Sequence, residues 1–384
     1  MWINRIIEKS VLNAAASRPA VLITGARQTG KSSLLRTIFP SIKHCTLDRP
    51  AFAQAAKESP GLFIDDLGTP VMIDEIQYAP ELFREIKPRI DQHRDSFGSY
   101  ILTGSQRFEL MAGVGESLAG RIRIIELNTL CAQELRQAEL DASQYLWKGG
   151  YPELWANPAL KSDEFFEDYI ATYLERDLHR ILNVSSIRDF RRFILACAVR
   201  VGQLINFSDL GRDIGITTNT IKSWINTLDA SGLIHILPPY HANIGKRLTK
   251  APKLYFADHG LLCHLLNIHN HEQWHQHPQK GSLWENLVLS EYIKTHGYKP
   301  GLNLFFYRDQ NGVEIDFVIE AEGKIKLVEA KASERPEPQK LHFNKVAPLF
   351  SSAQVETCLA CQMQSETSLM MKDYRMINPL LHGV

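Results

Sequence analysis

A chain of 384 residues is longer than one hydrophobic core usually supports, so two or three domains are expected. Its 43 Lys+Arg balance 43 Asp+Glu, a formal net charge of +0 that argues against a globally basic nucleic-acid binder and leaves room for a local basic patch. Hydrophobic content of 44% and charged content of 22% are ordinary for a globular protein, the 6 cysteines do not make a disulfide framework, and no apolar run approaches the roughly 20 residues that span a bilayer.

The first residues, Met1-Trp2-Ile3-Asn4-Arg5, lack the apolar core of a signal peptide, so a cytoplasmic location is the expectation. From Arg18 to about Leu130, short apolar runs at 20–24, 44–47, 71–73, 100–102 and 122–127 alternate with helical patterns, which predicts a parallel-sheet domain. The first run enters Gly25-Ala26-Arg27-Gln28-Thr29-Gly30-Lys31-Ser32, which fits GxxxxGK[ST], and a helix leaves it at Ser33. Glycines let such a loop turn its N–H groups around phosphate oxygens, and the helix N-terminus adds partial positive charge. Gly25 through Ser33 are therefore the expected cradle for ATP, with Lys31 reaching the β- and γ-phosphates and Ser32 giving its hydroxyl to Mg²⁺.

Val71-Met72-Ile73-Asp74-Glu75 is an apolar run ending in two acids. Asp74 is the expected Mg²⁺ ligand, direct or through water, and Glu75 the group that orients or deprotonates the attacking water. Tyr100-Ile101-Leu102-Thr103-Gly104-Ser105 follows; Thr103 and Ser105 either touch the γ-phosphate or the water, or cap a loop. The three runs are expected side by side, their C-terminal ends lining one crevice. Arg121, after Leu118-Ala119-Gly120, is either a charge-stabilising arginine, acting in cis or toward a neighbouring subunit, or a solvated residue opening a strand.

Lys148-Gly149-Gly150-Tyr151-Pro152 is a strong breaker, and it sets the expected domains at 1–148, 149–255 and 256–384. The middle reads as helical, with Phe165, Tyr169, Tyr173 and Leu174 at helical spacing, then Phe193, Ala196 and Val199. A short helix from Phe207 and a glycine turn precede a second helix over 219–230, capped by Thr217 or Thr218, and a strand over 234–237. This is the outline of a helix-turn-helix with a wing. Its second helix shows Thr218, Asn219, Lys222, Ser223 and Asn226, which can touch bases or phosphates, and 245–250 offers a basic wing. Winged helices also serve as packing or protein-contact modules, so DNA and protein both stand as partners.

In the last third, a helix over 283–295 precedes strand-like runs at 304–308, 313–320 and 324–330. Glu329 and Lys331, two apart on a strand, project together. If Asp316 lies on an adjacent strand, Asp316 and Glu329 can hold a second ion, Mg²⁺ or Mn²⁺, and Lys331 can position or activate water against a phosphodiester. Glu285, on the helix, adds a ligand or an outer contact. The competing account is a sheet edge of solvated charges. His259, His264, His269, His271, His275 and His277, flanked by Gln, Asn and Pro, read as a solvated loop, and the lone pair Cys358 and Cys361 as small core or surface residues.

Taken together, 23–35, 71–77, 101–105 and 118–121 resemble the archaeal-ATPase-like branch of the AAA-type P-loop ATPases, where a loop like GxRQxGKS precedes hhhDEIQ and then hLTGS. Gly149-Gly150-Tyr151-Pro152-Glu153, Tyr173-Leu174-Glu175-Arg176-Asp177, 253–262 and Trp284-Glu285-Asn286 resemble the half usually joined to it. The resemblance implies a bacterial or archaeal ATPase, and ring-forming relatives imply a homo-oligomer. Asp316, Glu329 and Lys331, with Glu285, resemble the PD-(D/E)XK restriction-endonuclease-like fold, with Ile315 where a proline often stands. The expected whole is an α/β chain: an N-terminal P-loop (ASCE/AAA-type) parallel-sheet domain, a helical winged-helix middle and a restriction-endonuclease-like α/β domain. Its expected work is Mg²⁺-dependent ATP binding and hydrolysis, as a switch or motor on DNA or protein and without a membrane. An ATP-coupled DNA nuclease, or a nucleotide-gated binder with negligible turnover, are the alternatives.

Overall fold

The computed structural model describes residues 2–105, 118–141, 143–172, 186–241, 251–350 and 353–384. The Tyr173–Asp177 motif and the basic segment at 245–250 lie outside the described residues. The chain forms two compact units, one of Asn4–Asn128 with Ala230–Gly232, the other of Met1–Ile3, Thr129–Asp229 and Leu233–Val384.

In the smaller unit, strands β1 (Ala20–Thr24), β2 (Lys43–Thr46), β3 (Val71–Asp74), β4 (Tyr100–Gly104) and β5 (Ile122–Glu126) make a parallel sheet ordered β2-β3-β4-β1-β5. Every residue of β1, β3 and β4 is buried, because helices cover both faces; this is why these strands read as continuous apolar runs. Alternate residues divide between the faces. Leu22, Ile73 and Leu102 pack with Phe83, Ile86 and Ile90 of the helix Leu82–Gln92. Val21, Ile23, Met72 and Ile101 pack with Val11 of Glu8–Ala15 and with Leu34 and Leu35 of Lys31–Ile38. The order sets β4 between β1 and β3, so the C-terminal ends of these three strands are adjacent.

The larger unit begins with helices. Ile187–Val199 is capped by Ser186 and Phe207–Ile214 by Asn206, and the latter stops at Gly215, whose φ of 88° suits glycine. Of the two candidate caps for Thr218–Ala230, Thr217 takes the role: its Oγ1 accepts from Thr220 N at 3.2 Å. Phe190, Phe193 and Trp224 join these helices edge to face. Strand β6 (Ile234–Leu237) then pairs antiparallel with β7 (Lys253–Phe256).

The helix Lys280–His296 is buried on all sides, from Leu283 and Trp284 to Tyr292 and Ile293. It packs on a mixed sheet of β8 (Leu304–Arg308), β9 (Glu314–Ala321), β10 (Lys324–Lys331), β11 (Gln354–Cys361), β12 (Leu369–Met370) and β13 (Arg375–Ile377), ordered β12-β13-β11-β10-β9-β8. The first three form an antiparallel meander, and β11 runs parallel to β10. Cys358 and Cys361 are free and buried on β11.

The Gly149-Gly150 breaker is not a linker. A Cβ on Gly149 would lie 2.1 Å from Asp258 Oδ1, and one on Gly150 2.2 Å from the Leu130 carbonyl. Asp258 accepts from Gly150 N at 2.9 Å and Thr129 Oγ1 at 2.7 Å. These glycines permit a close approach inside the larger unit, and the chain divides earlier, between Asn128 and Thr129. No described helix is long and apolar enough to cross a membrane.

Candidate functional site

The loop after β1 is shaped by its glycines. Gly25 has φ 144°, and a Cβ there would fall 2.2 Å from the Leu127 carbonyl oxygen, so no other residue fits. Gly30, at φ 90°, turns the chain into the helix Lys31–Ile38, while Gln28 holds a left-handed φ of 61°. Arg5 braces the loop from behind, donating to the Thr29 carbonyl at 3.0 Å and the Asn128 carbonyl at 2.6 Å. Lys31 Nζ donates to the carbonyls of Gly25 at 3.1 Å and Ala26 at 2.8 Å. A cleft of about 280 Å³ opens here, lined by Arg27, Gln28, Gly30, Lys31, Ser32, Ser33, Asp48 and Glu75.

Across the cleft stands a connected polar row. Ser32 Oγ donates to Asp74 Oδ1 at 2.8 Å. The Thr103 hydroxyl donates to the same carboxylate oxygen and accepts from Glu75 N at 3.1 Å. Ser105 Oγ donates to Glu75 Oε2 at 3.0 Å, and the Gln77 amide donates to Glu75 as well. Glu75 itself sits at φ 56°, ψ 48°, a left-handed conformation uncommon for a non-glycine residue. That turn takes its carboxylate out of the strand direction and up to Ser105. Such backbone strain concentrates at functional sites.

The electrostatics single out Lys31. Burial pushes its ammonium down to about 8, although Glu75 and Asp74 pull the other way. Asp48, exposed at the rim of the same cleft, has its carboxyl raised by partial desolvation and by the charges of Glu75 and Asp74. Ser32 and Asp74 together offer hard oxygen donors, the set that suits Mg²⁺.

The structure thus brings Lys31, Ser32, Asp74, Glu75, Thr103 and Ser105 together. It does not bring Arg121 to them. Ala20 N, at the start of β1, donates to the Arg121 carbonyl, so Arg121 stands at the end of the sheet away from the loop, about 13 Å along the strand. Its guanidinium forks onto Asp91 at 2.8 and 2.9 Å. Geometry therefore removes the cis role. Sequence reasoning missed Asp48, although an acid just past β2 repeats the pattern of Asp74 and Glu75 past β3.

A second cluster lies in the larger unit. Lys331 Nζ sits 2.8 Å from Glu329 Oε2 and 3.4 Å from Asp316 Oδ2. Asp316 also accepts from Ala330 N at 2.8 Å, and Glu329 from His342 N at 2.5 Å. The antiparallel pairing of β9 and β10, which sets Phe317 opposite Val328, makes these neighbours. Burial works against the Lys331 charge, but Asp316 and Glu329 outweigh it and hold the ammonium above its usual range. Glu285 is engaged elsewhere: it accepts from Lys253 Nζ at 2.9 Å and from the Tyr255 hydroxyl. Burial raises its carboxyl against the pull of Lys253. Lys253 bridges on to Glu314 at 2.5 Å. Among the described residues, Glu285, Asp316 and Glu329 do not converge on one metal position. The sequence marked Lys253 only as the start of the 253–262 segment, and its pairing was not legible because its partners lie 32 and 61 positions away.

Residues 17–136 match the AAA domain family, 139–272 a domain of unknown function numbered 8612, and 280–371 another numbered 4143. The smaller unit is thus a P-loop AAA-type domain. The uncharacterized protein Rv2008c of Mycobacterium tuberculosis (strain H37Rv) is 31% identical over 321 residues, which cover 83% of this chain and 71% of that one. The uncharacterized protein Mb2031c of Mycobacterium bovis matches to the same extent. Among solved structures, the Walker-type ATPase PABY2304 of Pyrococcus abyssi is similar at 18% identity and a TM-score of 0.46, covering 70% of this chain and 96% of that one.

Proposed function

The chain belongs to the family of these mycobacterial proteins, and we propose that its AAA domain binds and hydrolyses ATP with Mg²⁺ and so acts as a switch or motor on a macromolecular partner. The observation that carries this is the polar row Ser32–Asp74–Thr103–Glu75–Ser105, whose Ser32 and Glu75 line one cleft together with Lys31. The loop 25–33 cradles the phosphates through its N–H groups, and Lys31 supplies positive charge to the β- and γ-oxygens. Ser32 and Asp74 would hold Mg²⁺, which would supply positive charge against the developing phosphate charge. Thr103 fixes the Asp74 carboxylate and the Glu75 backbone. Glu75, steadied by Ser105 and Gln77, orients the attacking water and takes its proton. The test is phosphate release from ATP with Mg²⁺ and after chelation. Mg²⁺-dependent release supports the proposal; ATP held without release moves the reading to a nucleotide-gated binder.

The partner belongs to the same proposal. The helices Phe207–Ile214 and Thr218–Ala230 with the β6–β7 pair have the order of a winged helix, and in a functional division we assign them, within 149–255, to contact with DNA or protein. An arginine such as Arg121 acts in this scheme only toward a neighbouring subunit of a homo-oligomer.

A second reading has its own observation. The helix Lys280–His296, the β8–β10 meander, the short helix Phe343–Val346 and β11 parallel to β10 follow the element order of a restriction-endonuclease-like core. Asp316, Glu329 and Lys331 sit together at its centre. On this reading 256–384 is an ATP-coupled nuclease part that takes a second Mg²⁺ or Mn²⁺. Plasmid nicking with Mn²⁺ that disappears in Asp316→Asn supports it; nicking that survives the substitution belongs to something else.

A further inference from the structure

We propose that Asp163, His264 and His269 form a binding site for a divalent metal ion of the zinc class, with Asp163 Oδ1, His264 Nδ1 and His269 Nδ1 as ligands. One ligand atom from each residue lies within 4.8 Å of the others, and Asp163 Oδ1 is 3.6 Å from His264 Nδ1 and 2.5 Å from His269 Nδ1. They come from three places: the first turn of the helix Ser162–Tyr169, the last turn of His259–Leu265 and the turn that follows it. Packing brings them together, with the His264 ring against Phe166 at 5.6 Å between centroids. The solvated-loop expectation therefore fails here, since His264 is largely covered and only 14% of its side chain is exposed.

Two observations point to a ligand. His264 Nδ1 is buried and makes no hydrogen bond, its nearest acidic oxygen being Asp163 Oδ1 at 3.6 Å. An orphaned ring nitrogen of this kind is rare unless something else satisfies it. His269 is anchored at both ring nitrogens: its Nε2 meets Asn267 Oδ1 at 2.9 Å, an acceptor that keeps a proton on Nε2, while Nδ1 faces Asp163 Oδ1 and gives up its proton when an ion takes that position. Its backbone is fixed too, His269 N donating to Gln273 Oε1 at 2.7 Å.

The donor set decides the metal class. Two imidazoles and one carboxylate suit Zn²⁺ or Co²⁺, whereas Mg²⁺ and Ca²⁺ prefer oxygen throughout. Three protein ligands beside a half-exposed Asp163 leave a fourth position to water. Asp163 Oδ1 now lies 2.5 Å from His269 Nδ1. Bonds of about 2.0–2.1 Å around a tetrahedral ion separate ligand atoms by roughly 3.3 Å, so Asp163 must open by less than about 1 Å. The bound ion would clip together segments that lie 101 and 106 positions apart.

The 384-residue chain, stripped with a chelator and free of nucleotide, is titrated with Zn²⁺ by calorimetry and with Co²⁺ by visible absorption. The expected result is one ion per chain, a tetrahedral Co²⁺ spectrum, and affinity weakened at least about tenfold in His269→Gln and in Asp163→Asn. Both variants change partly exposed side chains, 48% for Asp163 and 29% for His269, so folding is checked by circular dichroism and preserved. His271→Gln serves as the control, because exposed His271 and His275 meet each other 2.9 Å apart on a nearby helix. Zn²⁺ affinity unchanged by His269→Gln, or lost in His271→Gln instead, overturns the assignment. So does the absence of any Zn²⁺ uptake, which leaves Asp163 and His269 as an ion pair.

Discussion

The two lysine–carboxylate clusters use the same residue types to opposite effect. Lys31 has two carbonyls for partners and is pushed by burial down to about 8, with its acids, Asp74 and Glu75, tied to hydroxyls and an amide instead. Lys331 is gripped by Glu329 and Asp316 and held above its usual range. The first lysine is disfavoured as a cation until an anion arrives; the second is already neutralised by its own neighbours. A lysine near acids is therefore not a site until its existing partners are counted.

The sharpest way to break this contrast is Lys31→Ala, expected to lower ATP turnover at least about 100-fold and to abolish tight nucleotide binding. Unchanged affinity and rate would remove the phosphate site from this cleft. Glu75→Gln comes next, keeping ATP bound while slowing release of phosphate by about 100-fold or more.

Stability separates the clusters in the other direction. Lys331→Met strips an ammonium from Glu329, which is 1% exposed, and should cost about 1–3 kcal/mol in urea unfolding. Lys31→Met should cost little or even stabilise, since its charge opposes folding. An equal loss in both variants would erase the distinction.

A smaller effect follows pH. The folded value of Lys31, about 8, lies below the ordinary 10.5, so its charge costs the fold stability at lower pH and that cost is relieved as pH rises from about 8 toward 10.5. Over the same window the free protein loses the ammonium that ATP needs. ATP affinity should fall above pH 8 by at most about tenfold per unit, and Lys31→Arg should flatten the profile because a guanidinium stays charged. Arg121→Ala should change turnover less than about twofold, since Arg121 is held by Asp91; a loss of about 100-fold that scales with protein concentration would instead place it at a neighbour's site.

What was legible in the sequence was what is local. The strands of the smaller unit lie within two residues of their predicted places, and β1, β3 and β4 read as continuous apolar runs because both their faces are covered. Lys31, Ser32, Asp74 and Glu75 were readable because one loop and one strand end carry them. Pairings across the chain were not. Nothing near Lys253 announces Glu285 and Glu314, nothing near Asp163 announces His264, and Gly149-Gly150 reads as a domain boundary until Asp258 is seen against it. Strand β11 was hidden because its first half is partly exposed and polar while its buried end holds small residues.

The central claim is that the cleft behind Lys31 hydrolyses ATP through Glu75. A single-turnover assay of phosphate release with Mg²⁺, run on wild type and Glu75→Gln at matched ATP occupancy, tests it most directly. The account predicts equal occupancy with release slowed by about 100-fold or more in the variant. Equal release from the two proteins would contradict it.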